Sequence, residues 1–294
     1  MPCGRPDRGR RDRAPTACLV IMVGLTLAAA LRAGAAPPTA DEILMAAERQ
    51  RGLPRPHTFE ATIAPESSLG AAADDDGRAP DDGVDPHTGP AAASAAAATH
   101  EAPAVTRVEV RSNGFAQQLV IVLEPSRGDA MLSTPDVVWV RPRRLHRLTR
   151  IPPELRMFSA ASVGDVTAID LIGTYTATLA EPADAAIEAT RAPYRLNLTA
   201  RRDVRYPRAS YTIARDDFRP LQIDFMTASG KALKTVMYGA FARVFDRVIP
   251  TEVVVRDRVY HDASIVRLSD FRPLSPVDPV MFTPDYLLTL GDDT

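Results

Sequence analysis

Cysteine is almost missing from this 294-residue sequence: only Cys3 and Cys18 carry a thiol, both near the N-terminus. A disulfide scaffold, a cysteine metal site and a thiol nucleophile in the body of the chain are thereby excluded. No excess of one charge exists either. There are 35 basic and 37 acidic residues, a net charge of −2, which excludes a general binder of nucleic acid or other polyanions. Beyond the N-terminal region no apolar run reaches the ~18–20 residues of a membrane span. Also missing are G-x-S-x-G, H-E-x-x-H, a phosphate-binding glycine loop and G-x-G-x-x-G. The histidines are His57, His87, His100, His146 and His261. None has a second histidine or a carboxylate at i+2 or i+4, the spacing of a metal pair. Asp216 and Asp217 are adjacent in a turn and point apart. With no nucleophile–base pair in view, the chain reads as a non-enzyme without metal or cofactor.

The N-terminus is informative. Arg5, Arg8, Arg10, Arg11 and Arg13 precede the apolar run Ala17–Leu31, and Ala33-Gly34-Ala35 follows. A basic head, an apolar middle and small residues at the end are the parts of a secretory signal. Export with cleavage near Ala35 is expected, leaving a periplasmic protein, and Arg10-Arg11 leaves open whether the general or the twin-arginine route is used. Cys18 opens the apolar run, so it is not placed for lipid attachment. Residues 1–35 contain six basic and two acidic residues, so the expected mature chain is more acidic than the whole.

After the signal, Thr39-Ala40-Asp41-Glu42 has the form of a capping box. Ile43, Leu44 and Ala47 share one face of the helix it would open, and Gly52 and Pro54 end it. His57–Ala64 alternates as a strand does. Residues 65–104 then consist mainly of Ala, Asp, Gly and Pro, with Asp74–Asp76, Asp81 and Asp82. Such a segment buries too little apolar surface to order itself, so it is expected to be a disordered insert.

From Val105 the chain is a succession of short alternating runs divided by turn signals. Strands are expected at 105–110, 118–125, 130–134, 136–140, 143–151, 174–180, 194–201, 210–216, 220–227, 231–239, 249–259 and 264–271. Residues 153–158 suggest a short helical or irregular lid, 163–173 a second helix, and 282–288 a terminal turn or helix. About eleven strands with few helices and no alternating βαβ order point to a mainly β (α+β) chain built on one large antiparallel sheet. Two domains of the sequence result: the signal at 1–35 and a single domain over 36–294, interrupted by the insert.

Two features go beyond a plain core. Arg141, Arg143, Arg144, His146, Arg147 and Arg150 form the densest run of charge. Such a run either protects a sheet edge or meets acidic headgroups or an acidic partner. The apolar residues Leu221, Ile223 and Phe225, with Leu233 and Met237 on the next strand, each line one face by alternation. Together with Met131, Trp139, Leu155, Met157 and Phe158 they are the candidate lining of a greasy cleft.

The order of these signals resembles the outer-membrane lipoprotein-sorting family, the periplasmic lipoprotein carriers and their relatives. The matching pieces are Ala40–Leu44 directly after a signal, Leu123-Glu124-Pro125, Met131-Leu132, Val138–Pro142, Arg147–Ile151, Phe158-Ser159, Gly164–Val166, Asp170-Leu171 and Tyr175. Ser229–Lys231, Lys234-Thr235, Ile249–Thr251 and Phe282-Thr283 with Leu287 complete them. The resemblance implies an incomplete β-barrel whose concave face is covered by short helices and lined with apolar side chains. It further implies a carrier that shields acyl chains of a lipid or lipoprotein on the way to the outer membrane, with an inner-membrane transporter as a further partner. A lipid- or peptide-sensing adaptor of an inner-membrane transporter or regulator is the alternative that the same fold allows.

Overall fold

The computed structural model describes residues 37–68, 105–114, 117–145, 147–167, 170–180 and 192–290. The chain divides into two compact units, Met1–Pro38 and Thr39–Thr294, and the fold is that of the second. The expected signal at 1–35 lies outside the described residues, as does most of the expected insert. Of that insert, Pro65 ends a strand and Glu66–Ser68 form a single 3-10 turn.

Helix α1 is Ala40–Arg51. Thr39 accepts the Glu42 N–H at 3.3 Å, and the Thr39 N–H donates to Glu42 Oε2 at 2.8 Å, so the capping box is complete. Ile43, Leu44 and Ala47 are buried, as the spacing requires.

The strands are β1 His57–Pro65, β2 Thr106–Ser112, β3 Gln118–Glu124, β4 Ala130–Ser133, β5 Val138–Arg141 and β6 Thr149–Ile151. They continue as β7 Arg156–Phe158, β8 Ala161–Ser162, β9 Tyr175–Leu179, β10 Tyr194–Ala200 and β11 Arg208–Ile213. The series ends with β12 Pro220–Met226, β13 Ala232–Val244, β14 Arg247–Asp257 and β15 Asp262–Pro273. Between β8 and β9 lie two short helical pieces, α2 Val163–Thr167 and α3 Leu171–Thr174, and α4 is Pro284–Thr289.

Among the described residues thirteen strands form one sheet, ordered β6-β5-β4-β3-β2-β1-β15-β14-β13-β12-β11-β10-β9. Every neighbour is a sequential hairpin partner except one pair: β1 lies antiparallel to β15, with Ile63 opposite Val266. The two outer strands β6 and β9 do not pair, so the sheet is not closed into a barrel. One apolar cluster takes in Val120, Met131 and Val138 from one wing and Leu196, Tyr211 and Ile223 from the other, with Ile43, Leu44 and Ala47 of α1. The sheet thus curls around its inner face, and α1 lies in the curl against β9, β12 and β14. On the opposite face of β3–β5, Leu119, Ala130 and Leu132 pack under Phe282 and Leu287 from the C-terminal segment.

The local elements agree closely with the alternation in the sequence, including Gly230 at positive φ (88°) in the β12–β13 turn. Three stretches differ. The strand expected over 143–151 is reduced to Thr149–Ile151, because the chain turns after Pro142, whose carbonyl accepts the Leu145 N–H at 2.9 Å. The lid expected over 153–158 includes β7, which pairs only with β8 in a small separate ribbon. The second helix is two pieces, since Asp170 caps a new start by accepting the Gly173 N–H at 2.9 Å.

Candidate functional site

A cavity of about 600 Å³ opens between α1, the α2–α3 segment and the inner face of the sheet around β1 and β15. That size falls in the ~300–1,000 Å³ range of small-molecule sites. Its sheet wall is aromatic. Phe59 and Phe271 stack with centroids 5.3 Å apart, and the His57 ring lies 5.7 Å from Phe59 and 6.3 Å from Phe271. These rings meet because β1 and β15 are paired, which sets His57 opposite Pro273. Leu53, Ile249 and Leu268 continue the apolar surface, and Val166 and Ile172 face it from α2 and α3. Met45 and Ile172 line the cavity while remaining 39% and 44% exposed, so the entrance is apolar as well.

Polar groups are few and mostly satisfied. Arg51 and Glu48 of α1 form a largely buried ion pair, with side chains 10% and 11% exposed, and the Tyr211 hydroxyl donates to Glu48 at 3.4 Å. Burial pushes the Glu48 carboxyl above the ordinary carboxylate range, against the attraction of Arg51. Burial likewise raises the hydroxyls of Tyr211 and Tyr238, which therefore act as neutral hydrogen-bonding groups. His57 is buried, and its Nδ1 lies 2.7 Å from the Arg55 carbonyl. Burial lowers its pKa, so the neutral ring donates from Nδ1 and leaves Nε2 as an acceptor.

A second ion pair, Lys234 with Asp165, is 4% and 2% exposed and ties α2 to β13. Asp165 also accepts the Ser162 N–H at 2.7 Å and the Ser162 hydroxyl at 2.8 Å. Among the described residues no group of three or more His, Cys, Asp and Glu could hold a metal ion. Among them, too, no helix is long and apolar enough to cross a membrane.

The residues chosen from the sequence for a cleft lie elsewhere. Met131, Phe158, Ile223 and Phe225 are in the packed core, and Leu233 packs against it. Leu221 is half-buried where the β11–β12 register shifts. Leu155 and Met157 are exposed in an open groove beside Arg156 and Tyr260. Trp139 lies on the opposite face of the sheet, under the Arg150 guanidinium at 4.1 Å. Met237 stands opposite Gln222, whereas Val236 is opposite Ile223 and Lys234 opposite Phe225. The inner face of β13 is therefore Lys234 and Val236, the reverse of the face that alternation suggested. A register shift between Phe225 and Met226 is the cause, since one slipped residue exchanges the two faces.

None of these residues lines the 600 Å³ cavity. The cavity residues carried a partial signal: Phe59 alternates on β1, and Ile249 and Leu268 sit in recognisable strands. What joins them is the pairing of β1 with β15, a contact between chain segments some two hundred residues apart (His57 with Pro273).

The model of a family described as an uncharacterized protein matches residues 114–289. No curated protein matches significantly. Among solved structures, a LolA superfamily protein from Nitrosomonas europaea is 23% identical, with a TM-score of 0.64 over 85% of this chain and 100% of its own. A putative outer membrane lipoprotein-sorting protein domain from Vibrio parahaemolyticus is 14% identical, with a TM-score of 0.62 over 85% and 98%. A DUF1329 family protein from Desulfovibrio piger is 13% identical, with a TM-score of 0.61 over 84% and 97%. The fold is thus of the LolA type, an open curled sheet with helices in the curl.

Proposed function

The chain belongs to that family of uncharacterized proteins, and on its LolA-type fold we propose that it is an exported, periplasmic carrier that shelters an acyl chain of a lipid or lipoprotein from water. The observation that carries this reading is the 600 Å³ cavity with its aromatic wall and apolar entrance. Sheltering a chain is worth ~0.8 kcal/mol per buried CH₂, and a partner or a membrane must offset that burial on release. An inner-membrane transporter is one such partner. In this reading the groups at the site hold and orient the bound chain.

The test has two arms. Mass spectrometry of organic extracts of the purified protein identifies co-purifying lipid. Binding of a fluorescent fatty-acyl probe is then compared between the wild type and Leu268→Trp, which fills the cavity from β15. Excluding two methylenes, about 1.6 kcal/mol, corresponds to roughly a tenfold loss of affinity. Undiminished probe binding in a folded Leu268→Trp protein would place the ligand outside this cavity.

A further inference from the structure

The segment joining β5 to β6 folds back on itself, with the Leu145 N–H donating to the Pro142 carbonyl at 2.9 Å and the Arg147 N–H to the Leu145 carbonyl at 2.7 Å. The β3–β4 turn lies against it. The Arg143 N–H donates to Asp129 Oδ1 at 2.7 Å, and its guanidinium donates to the Arg127 carbonyl at 3.5 Å. Gly128 allows this approach: it has a positive φ of 91°, and a Cβ there would come within 2.9 Å of Arg143 Cδ. Two turns are thereby fixed side by side, and they present Arg127, Arg143, Arg144 and Arg147, with Arg150 on the adjoining strand. All are exposed. None joins an ion pair among the described residues. The carboxylate beside them, Asp129, is engaged by the Arg143 backbone. Among these cations stands Leu145, 45% exposed.

Protection of a sheet edge accounts for Arg150, which is on the outermost strand β6. It does not account for Arg127, Arg143, Arg144 and Arg147, which lie in turns and have no unpaired strand to guard. An exposed leucine among them also runs against a purely solubilising role. Guanidinium groups hold phosphate oxygens in a fork, and an apolar side chain between them gains by leaving water at the headgroup boundary.

We propose that this double turn, with Arg127, Arg143, Arg144, Leu145, Arg147 and Arg150, is the surface by which the protein engages an anionic lipid bilayer. The arginines hold lipid phosphates and Leu145 enters the interface. The occupant is a bilayer because cationic and apolar groups are combined on one exposed pair of hydrogen-bonded turns; an acidic protein surface would leave Leu145 without a role. The proposal stands apart from the cavity, since none of these residues lines it.

Flotation with vesicles tests it, using the same full chain in every arm. The wild type is expected to float with equimolar phosphatidylglycerol and phosphatidylcholine, to be released by salt, and to bind far less to phosphatidylcholine alone. The neutral vesicles also measure any contribution of the apolar N-terminal segment. Each basic residue near an anionic surface is worth about fivefold in partitioning, so Arg143→Gln/Arg144→Gln/Arg147→Gln together should reduce binding by about a hundredfold. Leu145→Asp should weaken it while all the arginines remain. Circular dichroism and acyl-probe binding should be unchanged in both variants, which separates this proposal from the cavity. A wild type that ignores anionic vesicles, equal binding to neutral vesicles, or a folded triple variant that binds undiminished would each overturn it.

Discussion

His57 shows how one residue can link the cavity to pH. Its ring is buried between aromatic neighbours, and burial holds its pKa below the ordinary histidine value. The unfolded chain therefore takes up the proton at a higher pH than the folded one. Stability from the neutral ring is full above about pH 6.5 and is lost as pH falls through the window between that value and the depressed folded pKa. His57→Phe keeps an aromatic ring and removes the titration. Melting temperatures measured at about pH 7 and about pH 5 should fall further on acidification in the wild type than in the variant. Equal falls would show that His57 gains its proton as easily folded as unfolded. The residue is also a measure of what could be read in advance. In the sequence it has no partner at metal spacing; part of its burial comes from Phe271, far along the chain, which no local pattern reports.

At the scale of elements, the buried pair of Lys234 and Asp165 decides how α2 sits on β13. A charge left alone in such a place is costly: removing one member of a buried pair destabilises by roughly 3–5 kcal/mol, whereas apolar replacement of both is often neutral. Lys234→Met should therefore lower the urea midpoint strongly, and Lys234→Met with Asp165→Asn should recover part of the loss. Equal stability of the single variant and the wild type would mean that Asp165 is satisfied by Ser162 alone. Elements were the most legible level in the sequence. Alternation and turn residues are local, so β1, β3, β10 and β12 lie within a residue or two of where the sequence places them. The misread places share a cause that is not written in alternation. The shifts at Thr212/Ile213 and Phe225/Met226 reverse faces without changing the pattern of letters. Because of the second, Lys234 reads as an outward residue and is in fact among the buried ones.

For the molecule as a whole, a mainly β fold with one open antiparallel sheet follows from the number of strands and the lack of βαβ order, and the observed sheet has that character. The position of the cavity does not follow, because it depends on where the two wings of the meander join. That join has a consequence for the order in which the molecule can come into being. β1 is made first and β15 last, yet they are neighbours at the middle of the sheet. Until residues 262–273 have been synthesised, β1 lacks one partner and β14 lacks another. Contacts between such distant segments bring loop-closure cost before they bring stability, which slows folding. A chain ended after Asp257 should accordingly show no cooperative thermal unfolding; a sharp transition in that truncated protein would mean that the wings are stable without their join. In the growing chain the final strand acts as a keystone: the two wings made before it are joined only once it is in place.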